Sequence, residues 1–207
     1  MTTRFIVYLI IVLVVFLSGA WKFKKLSPAF KVLCLFMGIT FISEVLSRVL
    51  IAKSQSSMPL YHIYSPIQYI CFAIAFYYVF SNQTLKKLMV FSIPCMLIIG
   101  ALNTIFLQSL NRFPTNFLIL MLSIFILCSL LLFKQLFEKD EQELKKSIIY
   151  FNGTLLVYSA VVLLNLGLTN YFIKHQIDNK ISRDIIYYIT LLFYGTIGVT
   201  FKLDRSK

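Results

Sequence analysis

The stretch FKVLCLFMGITFISEVLSRVLIAK, from Phe30 to Lys53, is long and apolar enough to cross a membrane, yet it contains an acid and a base. A transmembrane helix needs about 20 consecutive apolar residues, and this stretch supplies them. Glu44 and Arg48 interrupt it one helical turn apart, so both side chains lie on the same face of a helix. Because charged side chains are costly inside hydrocarbon, we expect this face to point toward protein or water and to mark a site.

The composition extends this interpretation to the whole chain of 207 residues. Hydrophobic residues make up 59% of the chain and charged residues 14%, whereas a typical soluble domain has about 25% charged residues. The apolar residues come in blocks of about 20, without the short alternating segments that are typical of a β-barrel. The sequence therefore predicts an all-α integral membrane bundle that forms one domain over residues 1–207.

Seven apolar blocks predict seven transmembrane helices. Pro28 suits the first turn of the second helix, and Pro66 is expected to kink the third. Gly195 and Gly198 in the last helix predict a close approach between helices. The approximate spans are residues 5–21, 28–52, 60–81, 88–107, 114–137, 147–173 and 184–201.

Lysine and arginine predict the orientation, because they are enriched in cytoplasmic loops. Thirteen of them fall on one side of the predicted bundle and six on the other. The richer side holds Lys22, Lys24, Lys25, Lys31, Lys86, Lys87, Lys134, Lys139, Lys145, Lys146, Lys202, Arg205 and Lys207, and the poorer side holds Arg4, Lys53, Arg112, Lys174, Lys180 and Arg183. We therefore expect an outside N-terminus and a cytoplasmic C-terminus in a cell membrane, with a bacterial inner membrane as the expected one.

The same distribution explains the net charge of +12. Basic residues at the ends of apolar blocks are accounted for by membrane topology, so no nucleic-acid partner is predicted and the lipid bilayer is the expected partner.

With this orientation, polar side chains from several helices fall in the outer half of the bundle. Glu44 lies roughly 10–12 Å below the outer end of its helix. The ligand-binding residues predicted on this basis are Glu44, Arg48, His62, Gln68, Asn103, Asn165 and Asn170. A concave pocket with a few converging polar groups is the usual form of a binding site. The alternative is that the amides only join neighbouring helices.

Catalytic, metal and cofactor sites are not predicted. Glu44, His62 and His175 include ligand types that zinc accepts, but they lack the spacing of a zinc motif. A retinal cofactor would need a lysine in the seventh span, and the residues from Asp184 to Phe201 contain none. The four cysteines fall in four different spans and are interpreted as packing residues.

These patterns favour a non-enzymatic protein that recognises a small or amphipathic molecule from outside, like a sensor or receptor. Transmission of a ligand-binding signal to the cytoplasm would need a cytoplasmic protein partner. The charged segment EKDEQELKK, residues 138–146, is one candidate contact for this partner. A small-solute transporter is the main alternative, although transporters usually bind near the middle of the membrane. An intramembrane enzyme that modifies lipids is a third alternative.

Overall fold

The computed structural model describes residues 3–138, 146–175 and 178–204, and within them the chain forms seven α-helices and no β-strand. The predicted all-α fold is confirmed for these residues. The helices are α1 (Thr3–Trp21), α2 (Pro28–Ala52), α3 (Met58–Val79), α4 (Gln83–Leu102), α5 (Thr115–Phe137), α6 (Lys146–Lys174) and α7 (Lys180–Leu203). A short 3₁₀ turn, Phe23–Lys25, precedes α2, and a π-helical turn, Asn103–Leu107, continues α4.

Six of the helices in the described part are long and apolar enough to cross a membrane, as in a multi-pass membrane protein. The exception is α3, whose tyrosine, histidine, glutamine and proline residues lower its mean hydropathy. This helix contains Pro66 and continues through it, and the predicted kink there stays a prediction. Pro28 lies in the first turn of α2, as the sequence predicted.

Six helices form a ring, and the seventh lies outside it. Helix α1 packs against α2 and α7, and the ring continues through contacts of α2 with α3, α3 with α5, α5 with α6 and α6 with α7. Helix α4 packs mainly on α3 and is the least buried of the six apolar helices. Short turns join α1 to α2, α2 to α3 and α6 to α7, so these sequential helices are antiparallel neighbours and the ring has two distinct ends.

The end of the ring that holds the C-terminus of α7 is filled by phenylalanine side chains. The ring of Phe72 lies 5.0 Å from the rings of Phe36 and Phe125, measured between centroids. Phe151 and Phe193 lie 6.2 and 6.1 Å from it. All five side chains are fully buried. We call these five residues the phenylalanine core.

Of the two glycines predicted to allow close helix approach, only one does so. A Cβ atom added at Gly198 would lie 3.0 Å from Val15 of α1, whereas one added at Gly195 would meet nothing within 4 Å. The prediction for Gly195 was wrong because the side of α7 that carries this glycine faces open space rather than a neighbouring helix.

Asp204 joins the end of α7 to the start of α2. Its side chain is buried, and Oδ2 accepts a hydrogen bond of 2.7 Å from the backbone N–H of Ser27, the residue that precedes α2. Ser27 itself makes no capping hydrogen bond with its side chain. A carboxylate at this position also interacts favourably with the positive end of the helix dipole.

We therefore expect Asp204→Ala to lower the free energy of unfolding by about 1–2 kcal/mol, the usual cost of losing a helix cap. Asp204→Asn should lower the free energy of unfolding by less, because the amide oxygen of asparagine still accepts a hydrogen bond. Thermal unfolding in detergent measures both variants. Lys202→Ala is the matched control, since Lys202 is exposed on the same helix end. An equal melting temperature for Asp204→Ala and Lys202→Ala would contradict the capping role.

Candidate ligand-binding cavity

A cavity of about 450 Å³ lies within the ring, at the end opposite the C-terminus of α7. It is lined by residues from α1, α2, α3, α5, α6 and α7, so every helix of the ring contributes. The lining follows helical spacing, for example Tyr61, Tyr64, Ser65 and Gln68 along α3. This volume falls in the range of small-molecule sites, which is roughly 300–1,000 Å³.

Three arginines lie at the mouth of the cavity, and two of them pair with acids. Arg4 forms a salt bridge with Asp184. The backbone carbonyl of Arg4 accepts a hydrogen bond of 3.1 Å from the hydroxyl of Tyr187. These contacts fasten the start of α1 to α7. Arg183 lies 3.9 Å from Asp178, and both side chains are exposed.

Arg48, the third arginine, has a different contact. Its guanidinium carbon lies 3.7 Å from the centroid of the Phe5 ring, which is the geometry of a cation–π interaction. Among the salt bridges of the described residues, none joins Arg48 to Glu44. The α2 face that carries Glu44 and Arg48 lines the cavity, and neither charge is neutralised by a salt bridge to the other.

Glu44 lies deeper in the cavity than Arg48 and is surrounded by tyrosines. Its Oε1 accepts a hydrogen bond of 3.3 Å from the hydroxyl of Tyr8. The ring of Tyr8 lies 6.0 Å from that of Tyr194, and Tyr158 lines the same wall. The result is a carboxylate in a cavity with aromatic walls.

Gln68 contributes an amide to the buried part of the cavity. The residue is only 7% exposed and lines the cavity. Within the described residues its side chain makes no hydrogen bond, which leaves both ends of the amide free to bind a ligand. The polar atoms of Gln68 are not among the fully enclosed ones without a partner, so water or a ligand in the cavity can reach them and form hydrogen bonds.

The other predicted residues lie elsewhere. His62 joins α3 to the π-helical turn and to the loop before α5, since Nδ1 lies 2.9 Å from the hydroxyl of Thr104 and Nε2 lies 2.8 Å from the carbonyl oxygen of Arg112. A carbonyl oxygen only accepts, so Nε2 carries a proton. His62 is absent from the cavity lining.

Two of the predicted asparagines make hydrogen bonds within the protein. Asn103 donates to Gln108 Oε1 at 3.1 Å, within the segment that ends α4. Asn165 donates to the carbonyl of Ser182 at 2.9 Å and accepts from its hydroxyl at 2.7 Å, and so joins α6 to α7. Neither residue lines the cavity. The side chain of Asn170 lies outside the described residues.

Sequence reasoning overlooked several cavity residues, above all Tyr8, Tyr158 and Tyr194. A tyrosine in an apolar span is equally consistent with an interfacial position, so residue type alone did not single them out. The available signal was spacing, because Tyr187, Thr190 and Tyr194 follow one another at intervals of three and four residues and share one face of α7.

Metal-binding clusters are not found: the described residues contain no group of three His, Cys, Asp or Glu side chains that could hold a metal ion.

The comparisons with known proteins add no assignment. No protein-family model, no curated protein and no solved structure matches the chain.

Proposed function

We propose that this chain is a seven-span protein of the cell membrane whose outward-facing cavity binds a small or amphipathic ligand, and that it acts as a sensor or receptor. The observation that carries the proposal is the cavity within the ring, with charged groups at its mouth and a carboxylate, tyrosines and an amide further in. A site that combines apolar walls with a few polar groups is the usual form of a small-molecule pocket.

A transmembrane position for α3 completes the seven spans. Its 22 residues would extend about 33 Å at 1.5 Å per residue, enough for the apolar layer of a bilayer. The helix packs against α2, α4 and α5. Because these neighbours cover much of its surface, α3 needs less lipid-facing apolar surface than the other helices.

The charge distribution supports the orientation. The cavity opens at the end of the ring that holds the start of α1, and Arg4 and Arg183 at this mouth belong to the side with fewer basic residues. The richer side is the one retained in the cytoplasm. The proposed cavity therefore opens outward.

The phenylalanine core favours a receptor over a transporter. Phe72 follows Gln68 by one turn of α3, so the core begins roughly 6 Å beyond the buried amide. A polar solute would have to pass between fully buried aromatic rings to reach the cytoplasmic end. A signal to the cytoplasm would instead depend on a cytoplasmic protein partner. The predicted contact for this partner is the charged segment at residues 138–146, of which residues 139–145 lie outside the described residues.

Sided labelling with cysteines tests the topology and the function together. We expect a membrane-impermeant thiol reagent to modify Thr190→Cys, in the cavity wall, and Gln55→Cys, in the exposed α2–α3 loop, in intact cells. Lys24→Cys, at the opposite end, should react only after the cells are opened. The native chain is the background control for its own four cysteines, of which Cys34, Cys71 and Cys128 are buried and Cys95 is half-buried.

The outcomes separate the alternatives. Reaction of Thr190→Cys from outside only supports a receptor-like cavity. Reaction from both sides would show alternating access and favour the transporter. Reaction of Lys24→Cys instead of Gln55→Cys in intact cells would reverse the orientation and overturn the proposal.

A further inference from the structure

Glu44 and Arg48 carry opposite charges one turn apart on α2 and line the same cavity, but they do not pair with each other. Each instead contacts an aromatic residue of α1, Tyr8 for the acid and Phe5 for the base. From this arrangement we infer a two-point binding site for a small zwitterion, with its cationic group at Glu44 and its carboxylate or phosphate at Arg48. The inference rests on the proposed ligand-binding function and names the class of ligand.

The deeper half of the site has the chemistry of a cation site. Glu44 supplies the counter-charge, and Tyr8, Tyr158 and Tyr194 supply aromatic surface around it. Aromatic faces attract ammonium groups, and they do so more strongly where water is excluded. Tyr194 is only 4% exposed, so the wall beside the carboxylate is largely shielded from solvent.

The outer half has the chemistry of an anion site. The ring of Phe5 lies against one face of the Arg48 guanidinium, and stacking of this kind leaves the N–H groups at the edge free to donate. A guanidinium holds a carboxylate or a phosphate through two parallel hydrogen bonds. The other two arginines at the mouth contact Asp184 and Asp178, so among the cavity arginines of the described chain Arg48 is the one without an acidic partner within salt-bridge distance.

Ligands of a single charge fit this arrangement less well. A simple cation must pass three arginines to reach Glu44, and a simple anion that enters deeply meets the carboxylate. A zwitterion satisfies both groups. Side chains one turn apart on a helix have Cβ atoms about 5–6 Å apart, which suits an ammonium and an acid group separated by a few bonds.

Binding to the purified full-length chain in phosphatidylglycerol nanodiscs tests the inference. The zwitterionic probes are phosphocholine, glycine betaine and 4-aminobutyrate, and the single-charge probes are choline and acetate. A ligand that binds the folded state raises the melting temperature in proportion to its concentration and affinity. We expect at least one zwitterion to raise the melting temperature at a concentration about tenfold lower than choline or acetate needs for the same increase. The reason is that a zwitterion makes two charge-assisted contacts, whereas choline or acetate makes one.

Variants distinguish recognition from a structural role. Glu44→Gln should lower the affinity for the preferred zwitterion about tenfold and leave the affinity for acetate unchanged. Arg48→Gln should also lower the affinity for the zwitterion, but leave the affinity for choline unchanged. A structural role would weaken all probes together. Lys53→Gln removes an exposed positive charge at the same end without touching the cavity, and it should bind like the native chain.

The source of the zwitterion is tested by adding phosphatidylethanolamine to the nanodiscs. Competition with the preferred probe would identify a lipid headgroup as the ligand, and lack of competition would identify a free solute. The inference is overturned if no zwitterion binds better than choline and acetate, or if Glu44→Gln and Lys53→Gln behave alike. If Thr190→Cys still reacts from outside in that case, the outward cavity stands and only the ligand class is wrong.

Discussion

Replacing Phe72 with alanine should lower the free energy of unfolding by about 3 kcal/mol, the low end of the range for a buried phenylalanine. Phe72 is fully buried and contacts four other aromatic rings of the phenylalanine core. In a membrane bundle the reference state is hydrocarbon rather than water, so the loss comes mainly from packing. We place the effect at the low end of the range for this reason.

Reversible unfolding in mixed detergent measures this change. Phe106→Ala is the matched control, because Phe106 lies in the π-helical turn and is 74% exposed in the isolated chain. Its removal should leave the unfolding free energy within about 0.5 kcal/mol of the native value. Equal losses for the two variants would show that the phenylalanine core does not hold the bundle together as described.

Replacing Gly19 with alanine should also destabilise the bundle, by overpacking rather than by a cavity. A Cβ atom at Gly19 would lie 2.8 Å from the sulfur of Cys34 and 2.8 Å from the ring of Phe201. Both neighbours are buried, so neither moves freely. Overpacking of a filled core costs about 1–3 kcal/mol, against which the better helix propensity of alanine recovers up to about 1 kcal/mol.

Gly195→Ala provides the opposite case on α7, since a Cβ atom there meets nothing within 4 Å. We expect it to leave the melting temperature unchanged or to raise it, because only the helix propensity changes. Thermal unfolding of both variants under one condition gives the comparison. A melting temperature for Gly19→Ala at or above that of Gly195→Ala would refute the close packing of α1 against α2 and α7.

The membrane character and the helices of this chain could be predicted from its sequence. The second helix was predicted at residues 28–52 and is found at Pro28–Ala52. This agreement has a simple cause, since a membrane helix must satisfy its own backbone hydrogen bonds and needs a minimum length. Both requirements are local, and a sequence records them directly.

The identification of polar residues as candidates was also a matter of sequence, but their grouping was not. Depth along a helix placed His62 and Asn165 level with Glu44. Instead, His62 bonds to the π-helical turn and to the loop before α5, and Asn165 joins α6 to α7. Depth gives no information on which way a side chain faces around the helix axis. That direction depends on which helices become neighbours, and this is a tertiary property.

Glu44 and Arg48, the pair that interrupts the second span, show most clearly which features the sequence determines and which depend on the tertiary structure. The sequence alone determined that Glu44 and Arg48 share one face of a membrane-length helix, because the helical period fixes their relation. Only the tertiary structure decided that they face a cavity and contact Tyr8 and Phe5 of α1 rather than each other. Packing of α1 against α2 brings these aromatic residues to the two charges, and no local pattern in either helix specifies that contact.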